Sequence, residues 1–214
     1  YYLVFEDSFL NMNQLLDKEI EINFAGYQCL NCCKKKKIFR QGFCYDCFYS
    51  SPAVGDWIMR PELSTAHLGI ADRDLEYEQK VQLQPHVVYL AVASEIKVGV
   101  TRKTQVPTRW IDQGASQAIA VVEVPNRYLA GITEVALKNY YTDKTNWRKM
   151  LQNPTETFDL IAEKVKIESL IPDEAKEYFY SQKEDVYDLY YPVLHYPTKI
   201  ASLNLDKTPS LQGK

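Results

Sequence analysis

The sequence predicts an α+β protein, and three observations support this fold class. Two apolar, β-branched segments, VVYLAVA (87–93) and IKVGVT (96–101), are separated by a short turn and are typical of an antiparallel hairpin. Short helical patterns and one further strand follow this hairpin, and an acidic helical stretch comes after them. All five cysteines fall in one short segment, between Cys29 and Cys47. Together these features predict a cysteine-rich N-terminal module followed by a mixed α and β core.

Length and charge exclude some classes of protein. The 214 residues suffice for one large domain or a few small ones, and a hydrophobic fraction of 46% allows a buried core. The net charge is -3, so the chain as a whole does not have the charge of a nucleic-acid-binding protein. A role of that kind would require a local basic patch.

The sequence contains no signal for a membrane or for secretion. It lacks the run of roughly eighteen or more apolar residues that a membrane helix needs, and its first residues have no signal-peptide pattern. Clustered cysteines in such a chain favour metal binding in a reducing compartment over a disulfide scaffold. Because the chain begins with Tyr1, we expect a few residues upstream of it.

Local signals place the elements that follow the hairpin. PTRWIDQGA (107–115) predicts a short helix, because it has a proline in its first turn and a glycine near its end. QAIAVVEV (117–124) is typical of a third strand, and Asn126 can cap a helix that runs to about Tyr141. The predicted order of this block is therefore β-β-α-β-α.

The flanking segments carry fewer signals. LLDKEIEINF (15–24) alternates from Lys18 and predicts a strand, residues 50–85 predict a loop with one short helix around 72–80, and PVLHYP (192–197) and KIASLNL (199–205) predict strands. We expect the strands from the two chain ends to pair. The predicted regions are N-terminal strands (1–28), a zinc ribbon (29–60), the β-β-α-β-α domain (86–143), a helical region broken at Pro154 (144–190) and C-terminal strands (191–214).

Four of the five cysteines form two CxxC pairs, Cys29 with Cys32 in CLNC and Cys44 with Cys47 in CYDC. Each pair can place two sulfurs on one tight turn, about 2.3 Å from a tetrahedral metal ion. The spacing predicts a structural zinc ion. An iron–sulfur cluster is the alternative metal group, and buried free thiols without any metal are the other alternative. Cys33, the fifth cysteine, is not expected to bind the metal ion.

Two histidines, His67 and His86, could build a second metal site, although ordinary surface or hydrogen-bonding roles are the alternative.

A run of positive charge lies between the two cysteine pairs. Its residues are Lys34, Lys35, Lys36, Lys37 and Arg40, beside Phe39, Phe43 and Tyr45. One interpretation is a solvated hairpin tip, and the other is a surface that contacts a phosphate backbone.

The block VVYLA…KVGVT…TRW…TE resembles a GIY-YIG nuclease domain, whose fold has the same β-β-α-β-α order. Tyr89 falls at the tyrosine of the first motif, Gly99 at the glycine of the second, Arg109 at the arginine of the following helix and Glu134 at the metal-binding carboxylate. The second motif reads KVG here, with Lys97 in place of the tyrosine.

The resemblance implies a role for each of these residues. Glu134 would hold Mg²⁺ or Mn²⁺, Arg109 would neutralise the scissile phosphate, and Tyr89 would orient or deprotonate the attacking water. Lys97 or Arg102 would add positive charge. The ordinary interpretations are strand packing for Tyr89, a bend at Gly99, surface ion pairs for Arg109 and a solvated helix edge for Glu134.

A wider string, from CLNC through RPELSTAHLG to YPVLHYPTKIASLNLDK, is similar to a bacterial family of unknown function that joins a zinc ribbon to a GIY-YIG-like block. This resemblance covers nearly the whole chain and implies a cytoplasmic protein.

The sequence therefore supports three hypotheses. The first is a metal-dependent nuclease acting on DNA or RNA. The second is a non-catalytic module that binds nucleic acid or a ribosome, and the third is a protein-interaction scaffold in which zinc serves only folding.

Overall fold

The computed structural model describes residues 2–5, 7–153, 157–181 and 185–213, and the chain forms two compact units. The smaller unit combines residues 1–45 with residues 201–214, and the larger unit spans residues 46–200. Helices and strands are both well represented, so the predicted mixture of α and β structure is confirmed.

The described residues contain short strands and short helices, which are numbered in chain order. The strands β1 to β8 are Tyr2–Val4, Phe9–Asn11, Ile20–Asn23, His86–Val92, Ile96–Arg102, Gln117–Val124, Val186–Asp188 and Ser210–Gly213. The α-helices α1 to α7 are Tyr45–Ser50, Asp56–Met59, Leu75–Gln82, Thr108–Asp112, Arg127–Leu137, Trp147–Leu151 and Leu160–Ile167.

The smaller unit contains two antiparallel strand pairs, β1 with β2 and β3 with β8. β3 does pair with the C-terminal end of the chain, as Ile20 lies opposite Gly213, but its partner is not the predicted 199–205 segment. Neither that segment nor residues 192–197 form a strand, and both predictions are wrong. Prolines 192 and 197 lack the N–H groups that a strand ladder requires, which explains the second error.

The larger unit is built on a four-stranded antiparallel sheet with the strand order β5-β4-β6-β7. The predicted hairpin is right, since Val87 lies opposite Thr101 and Val92 opposite Ile96. Successive side chains of β4 point to opposite faces of the sheet. One face carries a core cluster that includes Val88, and the other carries a cluster in which Tyr89 packs with Trp110 of α4. The side chain of Tyr89 is therefore on the α4 face.

Helix α5 begins at the predicted cap, where Asn126 accepts a hydrogen bond from the N–H of Leu129 at 3.0 Å. It ends at Leu137 rather than near Tyr141. The helix sits against the Pro61–Leu63 turn so closely that a Cβ on Gly131 would lie 2.1 Å from the backbone nitrogen of Glu62. This close approach fixes the position of α5 and thus of Glu134, less than one turn further along.

Residues 50–85 are more ordered than the predicted loop. They contain α2, several 3₁₀ turns and α3, which Asp74 caps. The buried carboxylate of Glu78 accepts hydrogen bonds from the backbone N–H groups of Asp72, Arg73 and Asp74 at 2.7 to 3.0 Å. These bonds fold the segment before α3 back onto the helix, a contact that no periodic pattern signals.

The predicted helical region, 144–190, is only partly helical. It contains α6 and α7, and the PDEAKEYFYS segment forms the 3₁₀ helix Asp173–Tyr178. Its end forms strand β7, which adds to the sheet beside β6, so a purely helical assignment is wrong. The predicted break at residue 154 lies outside the described residues.

Candidate functional site

The four cysteines of the two CxxC pairs come together as predicted. The sulfurs of Cys29, Cys32, Cys44 and Cys47 lie within 4.8 Å of one another. Cys29, Cys44 and Cys47 are buried, and Cys32 is half-buried. Among the described residues, the cluster is the one group of three or more histidine, cysteine or acidic side chains that is placed to hold a metal ion.

Backbone hydrogen bonds form the turns that carry these sulfurs. The N–H of Cys33 donates to the carbonyl of Cys29 at 2.9 Å, and the N–H of Cys44 donates to the Cys29 sulfur at 3.3 Å. Gly42 adopts a φ of 82°, which favours glycine, and its carbonyl accepts a hydrogen bond from Leu30. These contacts return the chain from the first cysteine pair to the second.

The electrostatic surroundings favour a thiolate at Cys29. Backbone N–H groups of Cys32, Cys44 and Asn31 hydrogen-bond its sulfur and lower its pKa to about 6, while burial acts in the opposite direction. Thiolates are the form that binds metal. Cys29 is therefore already prepared as a ligand at neutral pH.

The cluster fits a zinc ion. Zinc–sulfur bonds of about 2.3 Å in a tetrahedron place the sulfurs about 3.8 Å apart. The sulfurs of Cys32 and Cys44 are 4.0 Å apart, and N–H groups around Cys29 supply the hydrogen bonds that metal-bound thiolates accept. Cys33 is exposed and lies outside the cluster, as predicted.

The two histidines proposed for a second metal site do not form one. His67 stacks on Tyr128, with ring centroids 4.6 Å apart. His86 is fully buried, and its Nδ1 donates to the carbonyl of Gln84 at 2.7 Å. Burial, more than any neighbouring charge, lowers the pKa of His86 to about 4, so the ring is neutral. Both histidines have the ordinary packing and hydrogen-bonding roles that the sequence left open.

The lysine run between the cysteine pairs is exposed along its whole length, from residue 34 to residue 37. Arg40 is exposed too, and its guanidinium lies 5.4 Å from the ring centroid of Phe39. Phe39 in turn packs edge-on against Tyr45. A tight turn between Arg40 and Phe43 closes the segment. The ribbon thus presents positive charge and aromatic rings on one short hairpin.

In the larger unit, Tyr89 of β4 lies directly opposite Gly99 of β5. A Cβ at residue 99 would lie 2.7 Å from the Tyr89 hydroxyl, so the glycine leaves room for the phenol. The phenol is fully buried and donates to the side-chain oxygen of Gln113 at 2.8 Å. Gly99 therefore serves a close approach between neighbouring strands.

The phenol of Tyr89 is electrostatically coupled to both other predicted catalytic residues. Burial, which is the largest cause, and the charge of Glu134 raise its pKa, which is about 12. The charge of Arg109 and a hydrogen bond from it act in the opposite direction. The charges of Arg109 on α4 and Glu134 on α5 thus both influence the pKa of this phenol.

Lys97, which replaces the tyrosine of the second motif, is buried, with only 4% of its surface exposed. Its ammonium donates to Gln113 at 2.7 Å and to the hydroxyl of Thr145 at 2.8 Å. Burial and, after it, the charge of Arg109 lower the pKa of Lys97 to about 8. Gln113 thus joins Lys97 and Tyr89 through one oxygen atom, a role that no motif in the sequence indicated.

Glu134 is 8% exposed and pairs with Lys138 of the same helix at 3.4 Å. Burial raises the pKa of this carboxylate, and Lys138 opposes the rise. The charges of Asp143, which raises the pKa, and Arg127, which lowers it, also act on the group. The solvated helix edge that the sequence allowed is therefore not what the structure contains.

Strand β5 and helices α4 and α5 carry four cationic side chains, which are Lys97, Arg102, Arg109 and Arg127. Arg109 is exposed, Arg102 is half-buried, and Arg127 is held by the carbonyls of residues 57 and 58 at 3.1 and 2.8 Å. Burial lowers the pKa of Arg127 to about 10, with Arg102 and Arg109 adding to the effect. The charge of Arg109 also acts on Lys97, so these cations influence one another. Glu123 of β6 forms an ion pair with Lys103 at 2.6 Å.

None of the helices that the structure describes combines the length and apolar character that crossing a bilayer demands. Comparison with curated proteins and with solved structures finds no match. Comparison with family models finds one that spans nearly the whole chain, from residue 17 to residue 214, and it is described as a protein of unknown function, DUF2797. The chain therefore belongs to the DUF2797 family, in agreement with the resemblance to a family of unknown function seen in its sequence.

Proposed function

We propose that this chain is a metal-dependent nuclease that cleaves phosphodiester bonds in DNA or RNA. The observation that carries the proposal is the coupling of Tyr89, Arg109 and Glu134. The charges of the arginine and of the carboxylate both act on the buried phenol. A guanidinium, a carboxylate and a phenol are the groups that such a reaction uses.

The order of elements supports a GIY-YIG-like arrangement. Strands β4 and β5, helix α4, strand β6 and helix α5 follow one another as the resemblance implies. In this proposal the phenol comes from the central strand, the arginine from α4 and the carboxylate from α5. Gly99 makes room for the phenol on the neighbouring strand.

Each residue has a defined task in this proposal. Arg109 is exposed, so its guanidinium can meet a phosphate and neutralise charge that builds on the oxygens during attack. Tyr89, with a pKa of about 12, keeps its proton at neutral pH, which favours orienting the attacking water over deprotonating it. Lys97 and Arg102 add positive charge near the phosphate.

Glu134 would hold Mg²⁺ or Mn²⁺. One carboxylate suffices when substrate phosphate oxygens and waters complete the coordination shell. The bound cation would stabilise charge on the leaving oxygen.

The zinc ribbon has a separate task, which is contact with nucleic acid. We propose zinc as the ion of the four-cysteine cluster, because the sulfur spacing fits it. The exposed lysines at residues 34–37 would lie along the phosphate backbone, with Arg40 and its aromatic neighbours beside them.

Arg109→Ala tests the proposal in the zinc-loaded protein. We expect wild type to cut mixed DNA and RNA substrates with Mg²⁺ or Mn²⁺, and the variant to cut roughly a hundredfold more slowly, since a donor to the developing charge is lost. Arg60→Ala is the matched control, because Arg60 is an exposed arginine outside the site whose nearest ion pair is 3.9 Å long. Equal rates for the two variants would mean that Arg109 takes no part in catalysis.

The second candidate function is a non-catalytic module that binds nucleic acid or a ribosome. Two observations favour it: Glu134 is already paired with Lys138, and Lys97 replaces the motif's tyrosine. Such a module would use the basic hairpin for phosphates and keep the sheet only as a scaffold.

Reversing charge on the hairpin tests the ribbon's part in either function. We expect Lys35→Glu with Lys37→Glu to weaken binding to single- and double-stranded nucleic acid by roughly tenfold or more near 0.1 M salt, and to lower the salt slope. The control pair is Lys18→Glu with Lys207→Glu, which makes the same change in charge on exposed residues of the same unit. Binding that is insensitive to the hairpin pair would leave the ribbon with a folding role only.

A further inference from the structure

The ammonium of Lys138 lies between two carboxylates. Its nitrogen is 3.4 Å from Oε2 of Glu134 and 3.4 Å from Oδ2 of Asp143. Lys138 follows Glu134 by one helical turn, which is the favourable order for an ion pair on a helix. Asp143 lies beyond the end of α5, in the segment that precedes α6.

This ion pair differs from a pair on an open surface. The side chain of Lys138 is 28% exposed and that of Glu134 only 10%, so water screens their attraction less than it would at a surface. Burial opposes the charge on Glu134, and Lys138 is the neighbour that most favours it. The lysine, at 3.4 Å, is therefore the main counterion of this buried carboxylate.

A divalent cation bound by Glu134 would need the same oxygen. Like charges repel strongly at such distances, so the ammonium and the cation would not share Oε2. Asp143 offers the displaced ammonium a partner at once, because it already lies 3.4 Å from the same nitrogen. The lysine can therefore leave Glu134 without losing every ion pair.

We propose that Lys138 is an internal counterion of Glu134 that competes with the divalent cation, so that the cation binds only when the ammonium moves off Oε2. This inference rests on the proposed function, since it takes Glu134 as the carboxylate that holds the cation. Lys138 would thus set the affinity for the metal, and no motif in the sequence indicated this residue. With the lysine in place, the protein alone holds the cation weakly, and oxygens from a substrate phosphate strengthen the binding.

The test is Mn²⁺ binding by the full-length, zinc-loaded protein without substrate. Free Mn²⁺ is measured by electron paramagnetic resonance, and the heat of binding by calorimetry. We expect Lys138→Gln to lower the Kd for Mn²⁺ roughly three- to tenfold, as expected for loss of a partly buried competing charge. Lys138→Arg keeps the charge and is expected to bind Mn²⁺ no more tightly than wild type.

Lys144→Gln is the matched control. Lys144 is exposed and adjacent to Asp143, so its loss makes the same change in net charge near the site. We expect this control to change the Kd by less than about twofold, because exposed charges are screened by solvent and salt. Folding of each variant is checked by circular dichroism and by thermal unfolding.

The outcomes separate the inference from the function on which it rests. If Glu134→Gln abolishes Mn²⁺ binding but Lys138→Gln binds no more tightly than wild type, the competition is overturned and the cation site at Glu134 stands. If Mn²⁺ binding does not depend on Glu134 in any variant, both proposals are overturned.

Discussion

Replacing Glu134 by glutamine is expected to reduce cleavage of DNA or RNA by about 10³-fold or more under single-turnover conditions, because the carboxylate that holds the cation is lost. Glutamine keeps the volume and the hydrogen-bonding oxygen, so the packing of α5 should persist. We expect affinity for nucleic acid to stay within about twofold of wild type, since the surrounding cations that meet phosphates remain.

Glu163→Gln is the control for this result. Glu163 of α7 accepts a hydrogen bond from Tyr141 at 2.7 Å and pairs with Lys166 at 2.5 Å, so it too joins a phenol and a lysine. It has no place in the proposed chemistry, and its variant should cut at the wild-type rate. Equal cleavage by wild type and Glu134→Gln would refute the catalytic assignment. A wild type that binds nucleic acid without cutting it would favour the binding module.

The features that the sequence predicted best depend on local patterns. The period-two alternation of VVYLAVA and IKVGVT led to the hairpin of β4 and β5, because each strand has its pairing partner next to it in the chain. The CxxC pairs led to the four-cysteine cluster for the same reason, since each tight turn brings two sulfurs together. The cap at Asn126 is likewise a signal contained in a few residues.

The errors concern contacts between residues far apart in the chain. Strand β7 joins the sheet by pairing with the edge of β6. The sequence that contains β7 is acidic, and it gives no indication that a strand edge lies beside it. The partner of β3 was expected at 199–205, but the chain end passes that point and pairs at 210–213. Alternation indicates that a segment can be a strand, but it does not identify the partner.

The candidate site shows the same difference between what local patterns predict and what depends on contacts between distant residues. A family pattern singled out Tyr89, Arg109 and Glu134, but the residues that tune them lie outside the motifs. Gln113 receives hydrogen bonds from the phenol and from Lys97, and Lys138 neutralises Glu134. A glutamine after a short helix or a lysine near the end of one is common on protein surfaces. Only the packing of α4 and α5 against the sheet gives these two residues their importance.

Removing the metal from the four-cysteine cluster is expected to unfold the ribbon. Structural zinc typically contributes about 10–16 kcal/mol of apparent binding free energy in small zinc-dependent folds. Residues 29–44 have little apolar core of their own, since the buried hydrophobic side chains among them are Cys29 and Cys44. We therefore expect a strong chelator to release one zinc ion per chain, and the amides of this segment then to lose protection from hydrogen exchange.

Cys44→Ser should have the same effect without a chelator. Cys44 is 2% exposed, and its sulfur is one of the four in the cluster, so the variant loses a buried ligand. Strands β4, β5 and β6 should keep their protection, because they pack in hydrophobic clusters of their own.

Cys33→Ser is the matched control for the metal. This fifth cysteine is exposed and lies outside the cluster, so the variant should bind one zinc ion with wild-type affinity. Metal analysis and hydrogen exchange measured by mass spectrometry read out both variants. Loss of zinc from Cys33→Ser, or its retention by Cys44→Ser, would contradict the assignment of ligands. A visible charge-transfer absorption in the purified protein would instead indicate an iron–sulfur cluster, because zinc has a filled d shell and gives no such band.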